Sequence, residues 1–444
     1  MIMNSQRPRR SLRALAGGTV LVMSLTAIMA QADPIAFTGG RVMPVTADPV
    51  DNGVLIIDDG EIIAVGSADD VRIPRGAEVI DVSGQVIVPG FVDTHSHIGE
   101  PAGGDRSSPI QPEARVLDSL NVRDAGFRRA LAGGLTTVHI MSGSGHLMSG
   151  QSIYVKLREG NDVTAIAYKK ADGSVDGGMK MANGTNPRRD PPFPGTRAKS
   201  AALVRQKFIA AQEYMAKLAA AEDDASKMPD RDLGMEALVE VLNGERIVHH
   251  HTHRHDDVMT VLRLQEEFGF RVVLHHVSEA HRVANEIAAA NAPVSLILID
   301  SPGGKLEAQY TDLKSAPALE QAGAKVSFHT DDYISDSRLY MRQAGLGVRA
   351  GMSPEFALRA LTLAGAEMLD LDDRIGSLEP GKDADFVILS GDPTSVYTRV
   401  QETWVEGQKR FDIDDPDDRA VAEGGFGVLQ PSVLTDFHGY GEGH

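Results

Sequence analysis

There is no cysteine in the 444 residues, which removes disulfides as a staple and thiolates as metal ligands. Any bound metal must therefore be held by histidine, carboxylate or a modified lysine. Positive charge is in deficit, with 44 Lys and Arg against 62 Asp and Glu and a formal net charge of −18. A surface that acidic excludes nucleic acid as a natural partner. A clean membrane-span run is also missing. The one apolar stretch of any length, from about Ala14 to Ala30, is interrupted by Gly17, Gly18, Thr19, Ser24 and Thr26.

That stretch follows Arg7, Arg9, Arg10 and Arg13 and leads into Ala30-Gln31-Ala32, a small-x-small site. The order basic, apolar, small is that of an export signal, so residues 1–32 are expected to be a cleaved signal peptide. Arg9-Arg10 resembles a twin-arginine signal, but the residues after it fit a Sec-type signal better. Cleavage leaves no stable membrane anchor and places the protein outside the cytoplasm, in the periplasm if the source is Gram-negative. Losing four arginines and no acid takes the net charge from −18 to −22.

What the chain does have is histidine in particular places. Val86-Ile87-Val88-Pro89-Gly90-Phe91-Val92-Asp93-Thr94-His95-Ser96-His97 is an apolar strand-like run ending in two histidines. Residues i and i+2 of a strand share a face, so His95 and His97 can converge on one cation. Four later runs read the same way. Gly178 to Met181 offers Lys180, Arg246 to His253 offers several histidines, Arg271 to His276 ends in a pair, and Lys325 to Asp332 ends in two carboxylates. Of fifteen histidines, only His139, His146, His281, His438 and His444 fall outside these strand ends and the residues just after them.

A chain this long can hold one large domain and a smaller companion. Residues 33–88 carry short strands with tight turns, including a hairpin expected at Asp59-Gly60. A similar all-β pattern returns in 372–412. Between them strands alternate with helical patterns such as 200–218 and 259–268, which predicts a parallel α/β domain over 89–371. The expected fold is α/β, a (β/α)8 TIM-like barrel inserted into a small β-sandwich built from both chain ends. The segment 219–236 reads as an exposed connection. The tail 413–444 shows no periodicity and reads as an extension without chemistry.

Taken together these motifs resemble the amidohydrolase superfamily, and within it the imidazolonepropionase-like branch of metal-dependent hydrolases. The resemblance rests on Pro89 to His97, Gly134-Leu135-Thr136-Thr137-Val138, Gly150-Gln151, His251 to Asp257, His276, Thr330-Asp331 and Leu378 to Val387. It implies one or two divalent metals, most naturally zinc, with His95, His97, His251, His276 and Asp331 as ligands. It further implies Asp331 as general base and Lys180 as a candidate carboxylated bridge. The fifth strand departs from the family's deaminases and from imidazolonepropionase itself, because Arg254 stands where a Glu would complete His-x-x-Glu.

The chemistry stands beside the resemblance. A divalent cation lowers the pKa of bound water to roughly 7 and polarises a carbonyl. A neighbouring carboxylate can take the water's proton and return it to a leaving nitrogen. Asp331 is placed for that, whereas Asp332 is expected to point away. His249 and His253 share the strand face of His251, and His275 is expected to face the outer layer. His329 is a candidate neighbour of the ligands. Arg254 and His253 are candidates for substrate binding, with an Arg254 salt bridge to Asp256 or Asp257 as the alternative. The expected function is cleavage of a C–N amide bond in a small peptide, N-acyl amino acid or cyclic amide. A lactonase or deaminase on the same site, or a metal-buffering protein using 249–255, are the competing readings. The expected partner is a small-molecule substrate, with a second copy of the chain as a further candidate.

Overall fold

A computed structural model describes residues 33–424 apart from 100–103, 223, 299–304 and 333. The expected signal segment and the last twenty residues of the tail lie outside these. Strands run in chain order as β1 (Ile35–Val42), β2 (Val50–Asp58), β3 (Glu61–Ser67), β4 (Glu78–Asp81), β5 (Val86–Pro89), β6 (Phe91–Ser96) and β7 (Leu135–Ile140). They continue as β8 (Met148–Gln151), β9 (Ile153–Lys156), β10 (Met179–Ala182), β11 (Val248–Thr252), β12 (Val272–His276), β13 (Val294–Leu296) and β14 (Val326–Phe328). The set ends with β15 (Phe386–Leu389), β16 (Val400–Val405) and β17 (Gln408–Asp412). Among the described residues no helix is long and apolar enough to cross a membrane.

Both chain ends build one eight-stranded sheet in the order β17-β16-β15-β5-β1-β2-β3, with β4 on β1. This single sheet, rather than a two-layer sandwich, is what the strand pairing gives. The β2–β3 hairpin turns at Asp59 (φ 48°) and Gly60 (φ 82°). Two successive left-handed residues make the turn whose twist matches that of the strands it joins. Across the sheet, Phe37 from the first half meets Phe386 and Trp404 from the second, with ring centroids 5.0 and 5.1 Å away. The only tryptophan therefore sits where the two ends of the chain meet.

The α/β part departs from eight parallel strands in a ring. β10 to β14 are parallel neighbours in sequence order, and β8 pairs antiparallel with β10. β6 pairs parallel with β7, and β9 pairs antiparallel with β7. The third position is thus an antiparallel segment, broken at Ser152, with one half on each sheet. On the other side a bridge between Ser96 and Asp332 ties β6 to the end of β14. Gly90 lets the chain pass from one domain's sheet to the other's, since a Cβ there would lie 2.2 Å from Thr136 Oγ1. Helices follow the expected pattern. One runs Arg197–Glu222 and another His255–Phe268, the latter ended by Gly269 in the left-handed conformation.

Two expectations about connections are corrected. The segment 219–236 is partly helical, because Asp232 caps a helix over Leu233–Leu242 by accepting from Gly234 N and Met235 N. The described part of the tail forms a helix over Pro416–Glu423 capped by Asp415, with Pro416 at its first turn. Arg338 donates to the carbonyls of Val421 and Gly424 at its far end.

The α/β part and the small sheet are joined by a buried ion cluster. Lys156, fully buried at the end of β9, contacts Asp383, Asp385 (3.0 Å) and Glu406 (3.6 Å). The acidic residues of Gly381-Lys382-Asp383-Ala384-Asp385 are therefore counter-charges for one interior lysine. Replacing that lysine strands the buried Asp385, while Asp383 keeps Arg374 at 2.7 Å, and breaking a buried pair on one side costs about 3–5 kcal/mol. Lys156→Met should lower stability in urea unfolding by about that amount. A loss below roughly 1 kcal/mol would show that the cluster is solvated rather than structural.

Candidate metal centre

The site forms where strands end. β6 delivers His95, and His97 follows it. Asp331 lies three residues beyond β14, and its backbone N–H donates to His95 O at 2.9 Å. Asp93 locks the same junction by accepting from His95 N, Thr330 N and Thr330 Oγ1. Burial pushes the Asp93 carboxyl up to about 7 in spite of those bonds. Asp331 Oδ1 lies 2.9 Å from His97 Nε2 and 3.3 Å from His95 Nε2. Burial would raise its pKa, but the hydrogen bond and charge of His97 outweigh that and hold the carboxylate ionised. Asp332 turns away toward buried Arg129 and Ser337 N.

Beside this set stands a second one. His251 and His253 from the end of β11 and His276 from the end of β12 bring ligand atoms within 4.8 Å of one another. The rings of His95 and His276 are 4.9 Å apart, so the two sets are neighbours. Lys180 on β10 is fully buried, with Nζ 3.2 Å from His95 Nε2 and 3.1 Å from Met141 Sδ. It is a strand residue, not a loop lysine. His253 joins the ligand-capable trio, whereas Arg254 is held by Asp256 in a two-bond pair (3.0 and 2.8 Å) on the exposed side. The salt-bridge alternative for Arg254 is the arrangement present.

A cation fits these residues. The His251 ring nitrogens, His253 Nε2, His276 Nε2 and Glu307 Oε1 are all buried without a hydrogen-bond partner. Buried polar atoms are rarely left so, and a metal would satisfy them together. Glu307 was not indicated by the sequence. It follows β13 with Oε1 3.6 Å from His251 Nε2, and Thr185 N donates to its other oxygen. His97 Nδ1–H donates to Met141 O at 2.6 Å, which turns Nε2 toward Asp331 and the ligand set. The competing reading of 249–255 as a metal-buffering tract would need exposed rings, whereas His249, His250, His251 and His253 are all buried.

The expected outward placement of His275 is corrected. It is fully buried, with Nδ1 3.2 Å from His95 Nδ1 and Nε2 3.0 Å from His249 Nδ1. His249 Nε2 in turn lies 3.0 Å from Tyr154 Oη. His275 is the register partner of His251 and shares its inward face, and the φ of 72° at His276 breaks strand alternation, so that the next side chain can face the interior too. His139, which the sequence left unassigned, lies beside His249 with ring centroids 4.1 Å apart. Its Nδ1–H donates to Thr94 O, and its Nε2 accepts from Ser152 Oγ.

Burial holds His95, His139, His249, His250, His251, His253, His275, His276 and His329 below the ordinary imidazole value, with His250 and His329 at about 3. In the unfolded chain each would take a proton near pH 6.5. The unfolded state then binds more protons as pH falls, so each imidazole removes up to about 1.4 kcal/mol of stability per pH unit below that value. Asp93 and Asp332, raised to about 7 and about 6, and Asp176, Asp257, Glu307 and Asp385, raised by burial, act in the opposite sense but are six against nine. The metal-free protein should therefore melt at least about 5 °C lower at pH 5.5 than at pH 7.5. A flat profile would mean that these rings are not buried neutral.

The profile of the amidohydrolase family matches residues 121–411. An amidohydrolase from Thermotoga maritima of known structure is similar at 32% identity and a TM-score of 0.79, covering 85% of this chain and all of that one. Amidohydrolase tasK of Hapsidospora irregularis is 27% identical over 78% of this chain, which spans only 38% of that protein's length. An imidazolonepropionase from Sphingopyxis alaskensis is 25% identical, covering 82% of this chain and 94% of that protein. The chain belongs to the amidohydrolase superfamily, in its imidazolonepropionase-like branch of hydrolases that act on C–N bonds.

Proposed function

We propose that this protein is an exported hydrolase of a small C–N amide, such as a short peptide, an N-acyl amino acid or a cyclic amide. The observation that carries the reading is Asp331. It is an ionised carboxylate in a nearly buried position, 2.9 and 3.3 Å from the Nε2 atoms of His97 and His95. His95, His97, Lys180, His251, His276 and Asp331 would hold one or two divalent ions, with zinc the natural choice for imidazole and carboxylate donors. Such an ion supplies, when bound, a lowered pKa for water and a Lewis acid for a carbonyl. Asp331 takes the proton from the attacking water and returns it to the leaving nitrogen. Carboxylation of Lys180 would add a further oxygen donor between the two sets. The antiparallel third segment and the Ser96–Asp332 bridge are compatible with reading the two sheets as arcs of a (β/α)8 barrel.

Purified protein stripped by chelation should lose turnover of a panel of dipeptides, N-acyl amino acids and lactones, and regain it on reloading. Asp331→Asn should lower kcat by about 10²–10⁴-fold while retaining substrate binding. Turnover within about threefold of the parent on every accepted substrate would remove Asp331 as the base. Preference for lactones over amides would move the substrate class to the alternative reading. Export rests on the four arginines, the apolar stretch and Ala30-Gln31-Ala32. The mature protein recovered from outside the cytoplasm should begin at Asp33, and an intact Met1 in that fraction would count against cleavage.

A further inference from the structure

A histidine can bind a cation through Nε2 only when its proton sits on Nδ1. For His97 that choice is made by a carbonyl, which can only accept. For His276 no carbonyl is in reach. Its Nδ1 lies 3.2 Å from His329 Nε2, while Asp331 Oδ2 is at 3.9 Å, beyond hydrogen-bond range. The contact with His329 can be made in either direction, so what matters is what His329 touches next.

His329 Nδ1 lies 2.8 Å from Ser295 Oγ, and Ser295 Oγ lies 2.7 Å from Thr94 Oγ1. Thr94 Oγ1 lies 3.2 Å from the carbonyl oxygen of Phe328. Every one of these side chains is buried, with Thr94, Ser295 and His329 at 0% exposure, so no solvent offers an alternative partner. The last atom decides the polarity. Because the Phe328 carbonyl has no proton to give, Thr94 donates to it and must accept from Ser295. Ser295 then accepts from His329 Nδ1–H, and His329 Nε2 accepts from His276 Nδ1–H. All four contacts are made. In the reverse direction Thr94 spends its only proton on Ser295 and the contact with Phe328 O is lost, leaving three.

We infer that Thr94, Ser295 and His329 are positioning residues that set the tautomer of His276, presenting its Nε2 as a ligand before any metal arrives. The inference rests on the metal-centre reading above and adds to it a cause for ligand readiness. His276 Nε2 is indeed the buried nitrogen left without a protein partner. His95 differs. Its chain runs through His275 and His249 to the Tyr154 hydroxyl, a group able to donate or accept. No carbonyl anchors that chain in the contacts described; its other end is Lys180 Nζ, 3.2 Å from His95 Nε2.

The test uses the full chain with ¹⁵N-labelled histidine, read by long-range ¹H–¹⁵N correlation, and Co(II) as the metal probe. Metal-free parent protein should show His276 and His329 protonated on Nδ1. Thr94→Val keeps the shape but removes the anchoring proton. It should mix the tautomers and weaken Co(II) binding at the His251, His253 and His276 set by about tenfold or more. Thr94→Ser should restore binding to within about twofold. Ser295→Ala breaks the chain one link further on and should act like Thr94→Val, which keeps the inference open to refutation if either variant fails to fold. Nε2-protonated His276 in the metal-free parent would overturn it, as would unchanged tautomers and affinity in the folded variants. If the parent binds no Co(II) at all, the proposed function falls, while the metal-free tautomers still decide the inference.

Discussion

Neutral imidazoles packed in a dry interior each carry one proton, and each proton must meet an acceptor. The arrangement of this protein follows from that requirement. Eight such imidazoles, from His95, His139, His249, His251, His253, His275, His276 and His329, form one ring-to-ring cluster, with the His97 ring beside it. Leaving a single buried donor unmatched costs about 1–3 kcal/mol, so a cluster of this size is tolerable only with its partners supplied. Met141 O, Thr94 O, Ser152, Ser278 and Ser295 supply them. These are backbone and hydroxyl groups on strands or directly after them. The nitrogens that remain without partners concentrate at one place, and that place is where the chemistry of the family needs a cation.

Rigidity at the junction of β6 and β14 matters for the same reason. Asp331 adopts a left-handed conformation, φ 49°, uncommon for a residue other than glycine. It is kept there by its own N–H on His95 O and by Asp93 bonding both strand ends. The cost of that backbone and of the buried Asp93 carboxyl falls on the fold, while the gain is a carboxylate held against two imidazoles. Burial and hydrogen bonding thus serve different carboxylates in opposite ways here, raising the pKa of Asp93 and lowering that of Asp331.

Much of this was legible because strand alternation is a strict rule. His95, His97 and the face shared by His249, His251 and His253 follow from a period of two, and Asp331 from its place after an apolar run. The residues that escaped did so where alternation stops. His275 faces inward as the register partner of His251, and His276 joins it only because it leaves the strand conformation, a positive φ that no feature of the surrounding sequence announces. Glu307 comes from a connection, where spacing carries no information about direction. Reading β8 and β9 as one antiparallel segment would have required knowing that Ser152 accepts from Gly178 N. The helix after residue 415 was marked by Asp415-Pro416, a cap and first-turn pair overlooked beside the acidic run.

The contribution of both chain ends to one sheet has a consequence for how the molecule is made. β15 pairs with β5, Phe386 facing Pro89 and Leu389 facing Val86, across almost the whole α/β part of the chain. Contacts so distant in sequence close large loops and form late. During synthesis β1 to β5 leave the ribosome long before β15 to β17 exist, with β5 lacking its partner and Lys156 lacking Asp383 and Asp385. The α/β part must therefore collapse around an incomplete edge and an uncompensated interior charge, and final closure waits for the last sixty or so residues of the chain.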